Sequence, residues 1–385
     1  MASNKKLKLG WLIPYSGIFK GLKKDLRQGL DLALKKEGAD VIIEPYPEFI
    51  QSGGSKDTEE ALKKLLLYDE VDFVIGIMSG KTAMHIIPLL EKQQVPLMLL
   101  NLGADIPSRQ LSSDYLFYNS LHLWKSEWVM GKWSQLQFGG EPSINVSVYE
   151  VGYGLHEAFR AGTAVSGAET VKLNVVKNLT SPADTRPLID HIREQAPHHA
   201  HALLSGKEGE QFLQLFGESG LASHVALSVN PFMAEEGLLP RNLSGLDLYN
   251  ATTWSRNLDT VENRSFISHY VNDYGEPPNA FCLLAYEAGL SLAAALQDTQ
   301  NVHRDQLTAA LGGTRPKGPR GDIFVSTRPL QTHLPVYIRK PIPSAQFGKC
   351  ENIILETAVG IEWNEPIPGA EQALLTGWQN PYLCV

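Results

Sequence analysis

The sequence predicts an α/β protein made of two doubly wound parallel-sheet lobes. Apolar strand-like runs alternate with helical runs through residues 7–105 and again through residues 144–229. This alternation indicates parallel strands joined by crossover helices. After a strand-like run at residues 247–253, two long helical runs follow at 260–274 and 279–297 with no strand between them. These helices need an existing sheet to cover, and the first lobe is the candidate.

The interrupted alternation also predicts the domain boundaries. The chain is expected to cross between lobes near residue 120, near residue 252 and around residues 325–334. Three crossings make a hinge beside a cleft. The predicted lobes are residues 1–120 with 253–327, and residues 121–252 with 328–385.

Individual elements follow from apolar spacing and from turn residues. Leu26, Leu30 and Leu34 share one face of a helix predicted at residues 22–36. The remaining first-lobe elements are strands at 7–13, 41–44 and 115–119 and a helix at 58–67. The second lobe has predicted strands at 144–150, 170–176, 200–204 and 225–229, and helices at 120–137, 152–166, 183–194 and 207–218. Two β-like runs, 334–339 and 353–361, precede a loop-rich tail.

A βαβ unit at residues 71–105 organises the first lobe. Its two strands end in the turns after Met78 and after Asn101, which therefore lie at the carboxyl edge of one sheet, where ligands bind in such folds. Ser79 lies at the predicted start of the intervening helix, so the free amide groups of Gly80 and Lys81 would form a carboxylate-sized anion site. The alternative is that Ser79 only caps its helix.

A nucleotide-binding loop is excluded at this position. Gly-Lys-Thr follows a strand and opens a helix, but only three residues separate Gly76 from Gly80. The phosphate-binding motif needs four in order to wrap the phosphate.

Composition excludes other classes. The chain has 385 residues, 43% hydrophobic, with a formal charge of −8. The negative charge and the lack of a basic aromatic stripe argue against nucleic-acid binding. No apolar run approaches the twenty residues that cross a bilayer. The N-terminus shows no signal-peptide core, so the protein is cytoplasmic or its signal has been replaced by a cloning start.

Reactive and metal-binding residue types give few candidates. Cys282 lies in an apolar helical run and is expected in the core, whereas Cys350 and Cys384 could pair. The histidines at 198, 199 and 201 have no partner at metal-ligand spacing, so a solvated helix-to-strand junction is the expectation. Lys207 and Glu208 are likewise expected to be solvated charges at a helix start. No catalytic motif or cofactor site emerges.

The order of these parts resembles the type I periplasmic substrate-binding proteins of ABC importers, in particular the branched-chain-amino-acid-binding group (Leu/Ile/Val-binding-like). The resemblance covers residues 7 to about 340. The segments that carry it are residues 15–17, 74–79, 96–104, 149–154, 278–281 and 318–323.

The resemblance implies that two lobes close on a small ligand. Ser79 and the Gly80 amide would hold an α-carboxylate, the turn from Asn101 to Asp105 would meet an amine, and Tyr153 and Asn230 would come from the second lobe. Gly80 and Lys81 replace family hydroxyl residues, Asp105 replaces a Thr or Ser, and Asn230 replaces a Glu, which argues against an ordinary leucine-type ligand. The full candidate site is Tyr15, Ser16, Ser79, Gly80, Lys81, Asn101, Gly103, Ala104, Asp105, Trp124, Tyr153, Asn230 and Trp254. Core packing explains Trp124 and Trp254 equally well.

The resemblance favours an extracytoplasmic solute-binding protein, periplasmic or extracellular, that binds an amino acid or related organic acid and hands it to an ABC permease. It implies no enzyme activity and no cofactor. The alternative is the ligand-sensing domain of a regulator or receptor with the same fold, in which lobe closure reports the ligand.

Overall fold

The computed structural model describes residues 5–39, 41–106, 112–177, 182–236, 239, 242, 246–297, 303–325, 327, 334–344 and 350–358. The strands are β1 Lys5–Ile13, β2 Val41–Phe49, β3 Phe73–Ile77, β4 Leu97–Asn101, β5 Leu116–Ser120, β6 Pro142–Ser147, β7 Lys172–Val176, β8 His199–Leu203, β9 Ala226–Val229, β10 Leu248–Thr252, β11 Lys317–Gly318, β12 Gly321–Asp322, β13 Val336–Pro343 and β14 Cys350–Ala358. The helices are α1 Leu22–Lys36, α2 Ser55–Leu67, α3 Gly80–Gln93, α4 Leu123–Phe138, α5 Val148–Val151, α6 Leu155–Ala164, α7 Arg186–Gln195, α8 Gly206–Glu218, α9 Val261–Tyr274, α10 Ala280–Gln297 and α11 Arg304–Gly313.

The strands form two main sheets, which define a first and a second lobe. The first sheet has the order β2-β1-β3-β4-β5, and every pairing in it is parallel. The second has the order β14-β13-β10-β9-β8-β6-β7. Its strands from β10 to β7 are parallel, whereas β13 pairs antiparallel with both β10 and β14. The parallel strands β3, β4 and β8 are buried along their whole length, as expected for sheets covered by helices on both faces.

Helix α10 lies against α1, β4, β5 and α11, so the long late helices do cover the first sheet. Two glycines allow α1 and α10 to approach closely. A Cβ atom at Gly29 would lie 2.2 Å from the Cys282 carbonyl oxygen, and one at Gly289 would lie 2.6 Å from the Ala33 Cβ. Helix α10 is long and apolar enough for a membrane span, but 89% of that window is buried inside the protein. We therefore interpret it as the core helix of the first lobe.

A buried arginine joins the segments that cross between the lobes. Arg320 forms an ion pair with Glu287 and donates hydrogen bonds to the Ser120 carbonyl oxygen (2.7 Å) and to the Thr253 hydroxyl (3.2 Å). The Thr253 hydroxyl donates in turn to the Leu121 carbonyl oxygen (2.9 Å). These bonds hold two of the crossing segments in register at the base of the cleft.

Most sequence-predicted elements are present within a few residues of their expected ends, but some predictions were wrong. Residues 148–150 begin a helical turn, α5, and are not part of the strand. Helix α11 was not predicted. His199 and His201 are not solvated, because both side chains are buried in β8. The precise lobe boundaries stay a prediction.

Candidate functional site

The carboxyl ends of β3 and β4 form the edge of the first lobe. Helix α3 begins directly after β3, and Ser79 is its N-cap: its hydroxyl accepts a hydrogen bond from the Thr82 amide (3.2 Å). Such caps satisfy one of the free amide groups of the first helical turn. Ser79 is fully buried, so the capping role expected from the sequence is present.

Asp105 lies at the same edge and bonds to the start of α3. Its carboxylate accepts a hydrogen bond from the Gly80 amide, and the positive charge of Lys81 also acts on it. Burial nevertheless raises the pKa of Asp105 to about 6. The helix N-terminus predicted to bind a ligand carboxylate is therefore in contact with a carboxylate of the chain itself.

The turn between β4 and Asp105 is held by its own polar groups and by the start of α4. The Asn101 side-chain amide donates to the Met78 carbonyl oxygen (2.8 Å), and its oxygen accepts from the Gly103 amide. The Gly103 carbonyl oxygen accepts from the Trp124 amide (2.8 Å). Gly103 has φ +72°, and a Cβ there would lie 2.6 Å from the His122 Cα. Only glycine fits this turn, which places Ala104 and Asp105 beside α3.

The turn after β1 is the second part of the candidate site in the first lobe. The Ser16 hydroxyl accepts from the Phe19 amide (2.9 Å), which shapes the approach to α1. The Tyr15 ring stacks on Phe49 (5.1 Å) and is 58% exposed. Tyr15 therefore covers the outer end of β2.

In the second lobe, the two predicted site residues bond to neighbours within that lobe. The Tyr153 hydroxyl donates to the Tyr149 hydroxyl (3.0 Å). The Asn230 side-chain amide donates to the Glu127 carboxylate (3.0 Å), and its oxygen accepts from the Phe232 amide (3.1 Å). Both side-chain functions of Asn230 are thus engaged inside the lobe.

Behind Asn230 lies a buried set of acidic residues. Glu127 Oε2 lies 2.9 Å from His201 Nε2, and both side chains are buried. Glu150 accepts a hydrogen bond from the Ser205 hydroxyl, and burial raises its pKa to about 7. The predicted solvation of Glu208 was wrong, because this side chain is buried and accepts a hydrogen bond from the Ala183 amide (3.0 Å).

The two tryptophans lie in the hydrophobic core. Trp124 is fully buried, and Trp254 is 4% exposed with its indole nitrogen donating to Asn263 (2.9 Å). Core packing, the alternative interpretation from the sequence, accounts for these positions. Their ligand role stays a prediction.

Three phenylalanines at the lobe interface were not singled out from the sequence. Phe19 of the first lobe contacts Phe281 (ring centroids 4.8 Å apart) and Phe232 of the second lobe (5.4 Å). Phe232 lines two cavities between the lobes, of about 440 and 580 Å³. The only sequence signal was indirect: Phe281 ends the segment 278–281, which was considered for its fold resemblance alone.

No group of three or more His, Cys, Asp or Glu side chains suited to a metal ion occurs among the described residues. Cys282 is buried, as expected, and Cys350 is also buried. Cys384 lies outside the described residues, so its pairing with Cys350 stays a prediction.

Comparison with known proteins gives the family of this two-lobed fold. A family model described as "Periplasmic binding protein" matches residues 6–341. The chain belongs to this family. The "Leu/Ile/Val-binding protein homolog 6" of Brucella abortus is 22% identical over 361 residues, which are 91% of each protein.

Solved structures of binding proteins share the fold. An ABC transporter substrate-binding protein from Sphaerobacter thermophilus has a TM-score of 0.80 and 20% identity, over 92% of this chain and 98% of that one. A solute-binding protein of an ABC transporter from Rhodopseudomonas palustris HaA2, in complex with p-hydroxybenzoic acid, has a TM-score of 0.78 and 21% identity, over 94% and 99%. The predicted type I periplasmic-binding-protein fold is confirmed.

Proposed function

We propose that this periplasmic binding protein is the extracytoplasmic solute receptor of an ABC importer. It binds a small carboxylate-bearing molecule, an amino acid or a related organic acid, between its two lobes and delivers it unchanged to a membrane permease. The family supports the binding role. The carboxylate is supported by the Rhodopseudomonas palustris solute-binding protein in complex with p-hydroxybenzoic acid and by the Brucella relative named as a Leu/Ile/Val-binding protein homolog.

The observation that carries the proposal is the contact between Asp105 and Gly80. A carboxylate already accepts a hydrogen bond from the first amide of α3, so the helix N-terminus has the donor and the dipole that a ligand carboxylate needs. A charge-assisted hydrogen bond of this kind contributes about 1.5–3 kcal/mol. In the proposed complex, the ligand carboxylate takes the place of the Asp105 carboxylate.

Two ionised carboxylates cannot share one helix N-terminus without strong repulsion. Asp105 therefore takes up a proton when an acid without an amine binds. An amino acid differs, because its ammonium group pairs with ionised Asp105. Asp105→Asn should therefore weaken the binding of an amino acid. The corresponding acid without the amine should bind to this variant at least as tightly as to the wild type.

A thermal-shift screen over amino acids, aromatic acids and small amides tests the proposal. A ligand at a hundred times its dissociation constant stabilises the protein by roughly 2.7 kcal/mol. Hits confined to neutral sugars or nucleosides would contradict the carboxylate.

The site is tested with Ser79→Ala, which removes the hydroxyl at the start of α3. Thr260→Ala is the matched control, because the Thr260 hydroxyl caps α9 by accepting a hydrogen bond of the same length, 3.2 Å, from the Asn263 amide. Each change is expected to cost about 1 kcal/mol of stability. Only Ser79→Ala should also weaken an acid ligand, and full affinity in this variant would reject the site.

A further inference from the structure

The cavity of about 580 Å³ between the lobes differs in charge from its neighbour across Phe232. Its lining includes four acidic side chains, Asp25, Glu235, Glu236 and Glu276, and two basic ones, Lys24 and Arg256. The 440 Å³ cavity is lined by two acidic and two basic side chains, Glu208, Glu210, Lys20 and Lys207. The larger cavity therefore has an excess of negative charge.

Most charges in the larger cavity are paired. Lys24 forms an ion pair with Glu276 at the rim. Arg256 lies 3.5 Å from Glu235 and 3.7 Å from Glu236. Buried Arg339, behind these two glutamates, adds a second positive charge that acts on both. The second-lobe wall is thus close to neutral.

Asp25 on the first-lobe wall forms no ion pair with a described residue, although the charge of Lys24, which is paired with Glu276, also acts on it. Its carboxylate accepts a hydrogen bond from the Asn279 side-chain amide (2.7 Å), and no basic nitrogen of the described residues lies within 4 Å of it. Burial raises the pKa of Asp25, and burial also raises that of Glu235 on the opposite wall. In both cases the first cause is the burial of the carboxyl group, and the charge of Glu236 also raises the pKa of Glu235.

Aromatic rings complete the walls. Phe19 and Phe281 of the first lobe and Phe232 of the second line the same cavity as Asp25, and the Phe19 ring contacts the other two. The faces of aromatic rings attract cations, by about 0.5–2 kcal/mol each depending on desolvation. A carboxylate beside several aromatic rings is the chemistry that recognises an organic ammonium group.

We propose that this cavity binds a small organic cation, with Asp25 as its counter-ion and Phe19, Phe232 and Phe281 as its aromatic walls. Because the walls belong to both lobes, the cation favours the closed arrangement. The cavity lining shares no residue with the proposed carboxylate site at Ser79, Gly80 and Asp105, and the proposal does not depend on that site.

Choline is the probe, and 3,3-dimethyl-1-butanol is its uncharged isostere. Titration calorimetry on the full chain at constant ionic strength should show saturable binding of choline and none of the alcohol. Asp25→Asn keeps an acceptor for Asn279 and should weaken choline at least tenfold. Asp31→Asn is the matched control, because Asp31 is an exposed carboxylate on the same helix, paired with Arg27. It should leave choline affinity within twofold.

A second variant tests the aromatic wall. Phe232→Leu keeps an apolar side chain at the interface but removes the ring, so choline affinity should fall several-fold with the fold intact. The proposal is overturned by any of four results: no saturable choline binding, equal binding of the alcohol, unchanged affinity in both Asp25→Asn and Phe232→Leu, or equal losses in Asp25→Asn and Asp31→Asn. Ser79→Ala should not change choline binding, which separates this test from that of the carboxylate site.

Discussion

The two lobes present different edges to the cleft. In the first lobe, Ser79, Gly80 and Asp105 come together from two neighbouring strand ends. In the second lobe, Tyr153 and Asn230 bond to Tyr149 and Glu127 of their own lobe. In the proposed complex, the first edge exchanges an internal carboxylate for that of a ligand, whereas the predicted polar residues of the second edge bond to neighbours in their own lobe. On this proposal the lobes contribute unequally: the first supplies polar recognition and the second, through Phe232, supplies an apolar surface.

The largest expected effect distinguishes the turns of the two edges. Gly103→Ala combines a left-handed backbone with a contact of 2.6 Å to the backbone of His122, so it should cost about 3 kcal/mol of stability. Gly154→Ala is the matched change in the second lobe, with φ +73° and nothing within 4 Å, and should cost only about 1 kcal/mol. Urea unfolding of both variants measures the difference, and equal costs would show that the first turn is not closely packed.

The next effect concerns one acid on each edge, half-buried Asp105 and buried Glu150. Burial raises the pKa of Asp105 from 3.8 to about 6 and that of Glu150 from 4.5 to about 7. The folded protein therefore holds these protons more tightly than the unfolded chain, and stability is lost as pH rises through each window, by roughly 3 kcal/mol per group. Asp105→Asn should remove the loss between about pH 4 and 6, and Glu150→Gln the loss between about pH 4.5 and 7. Unfolding free energies measured across pH 4–8 test this, and unchanged profiles would contradict the buried positions.

A smaller effect concerns Asn230. Asn230→Ala leaves the buried Glu127 carboxylate without the hydrogen bond from the side-chain amide, which should cost about 1–2 kcal/mol. Tyr153→Phe removes the bond between the two tyrosine hydroxyls, which should cost about 0.5–1 kcal/mol. If Asn230→Ala abolishes ligand binding while stability is unchanged, the second edge does contact the ligand and the contrast between the lobes is wrong.

The same contrast explains what the sequence predicted. The first edge could be predicted from short stretches of sequence, because apolar strands followed by Ser-Gly and Asn-x-Gly turns place their ends together in any parallel sheet. Helices with one clear apolar face, such as α1, were predicted with correct ends. The burial of His201 beside Glu127 depends on contacts 74 positions apart in the chain, so no local pattern marks it. The interface rings come from three separate segments, and a single Phe in a sequence does not indicate which surface it meets.

The Asp105 contact was also beyond the sequence. The turn that ends at Asp105 was expected to meet an amine, and the bond of Asp105 to the Gly80 amide depends on how closely the two turns approach. The departure of Asp105 from the family pattern was the available signal. This departure indicated that the site differs from that of the family, but it did not indicate which contact Asp105 makes.

The central claim is that a ligand carboxylate replaces the Asp105 carboxylate at the start of α3. The most direct measurement is the affinity for an acid hit without an amine, in the wild type and in Asp105→Asn, from pH 5 to 8 at constant ionic strength. Because Asp105 titrates at about 6, wild-type affinity should fall about tenfold for each pH unit above that value, while Asp105→Asn binds more tightly at pH 7.5 and shows no such slope. Identical pH profiles for the two proteins, with Ser79→Ala retaining full affinity, would contradict the account.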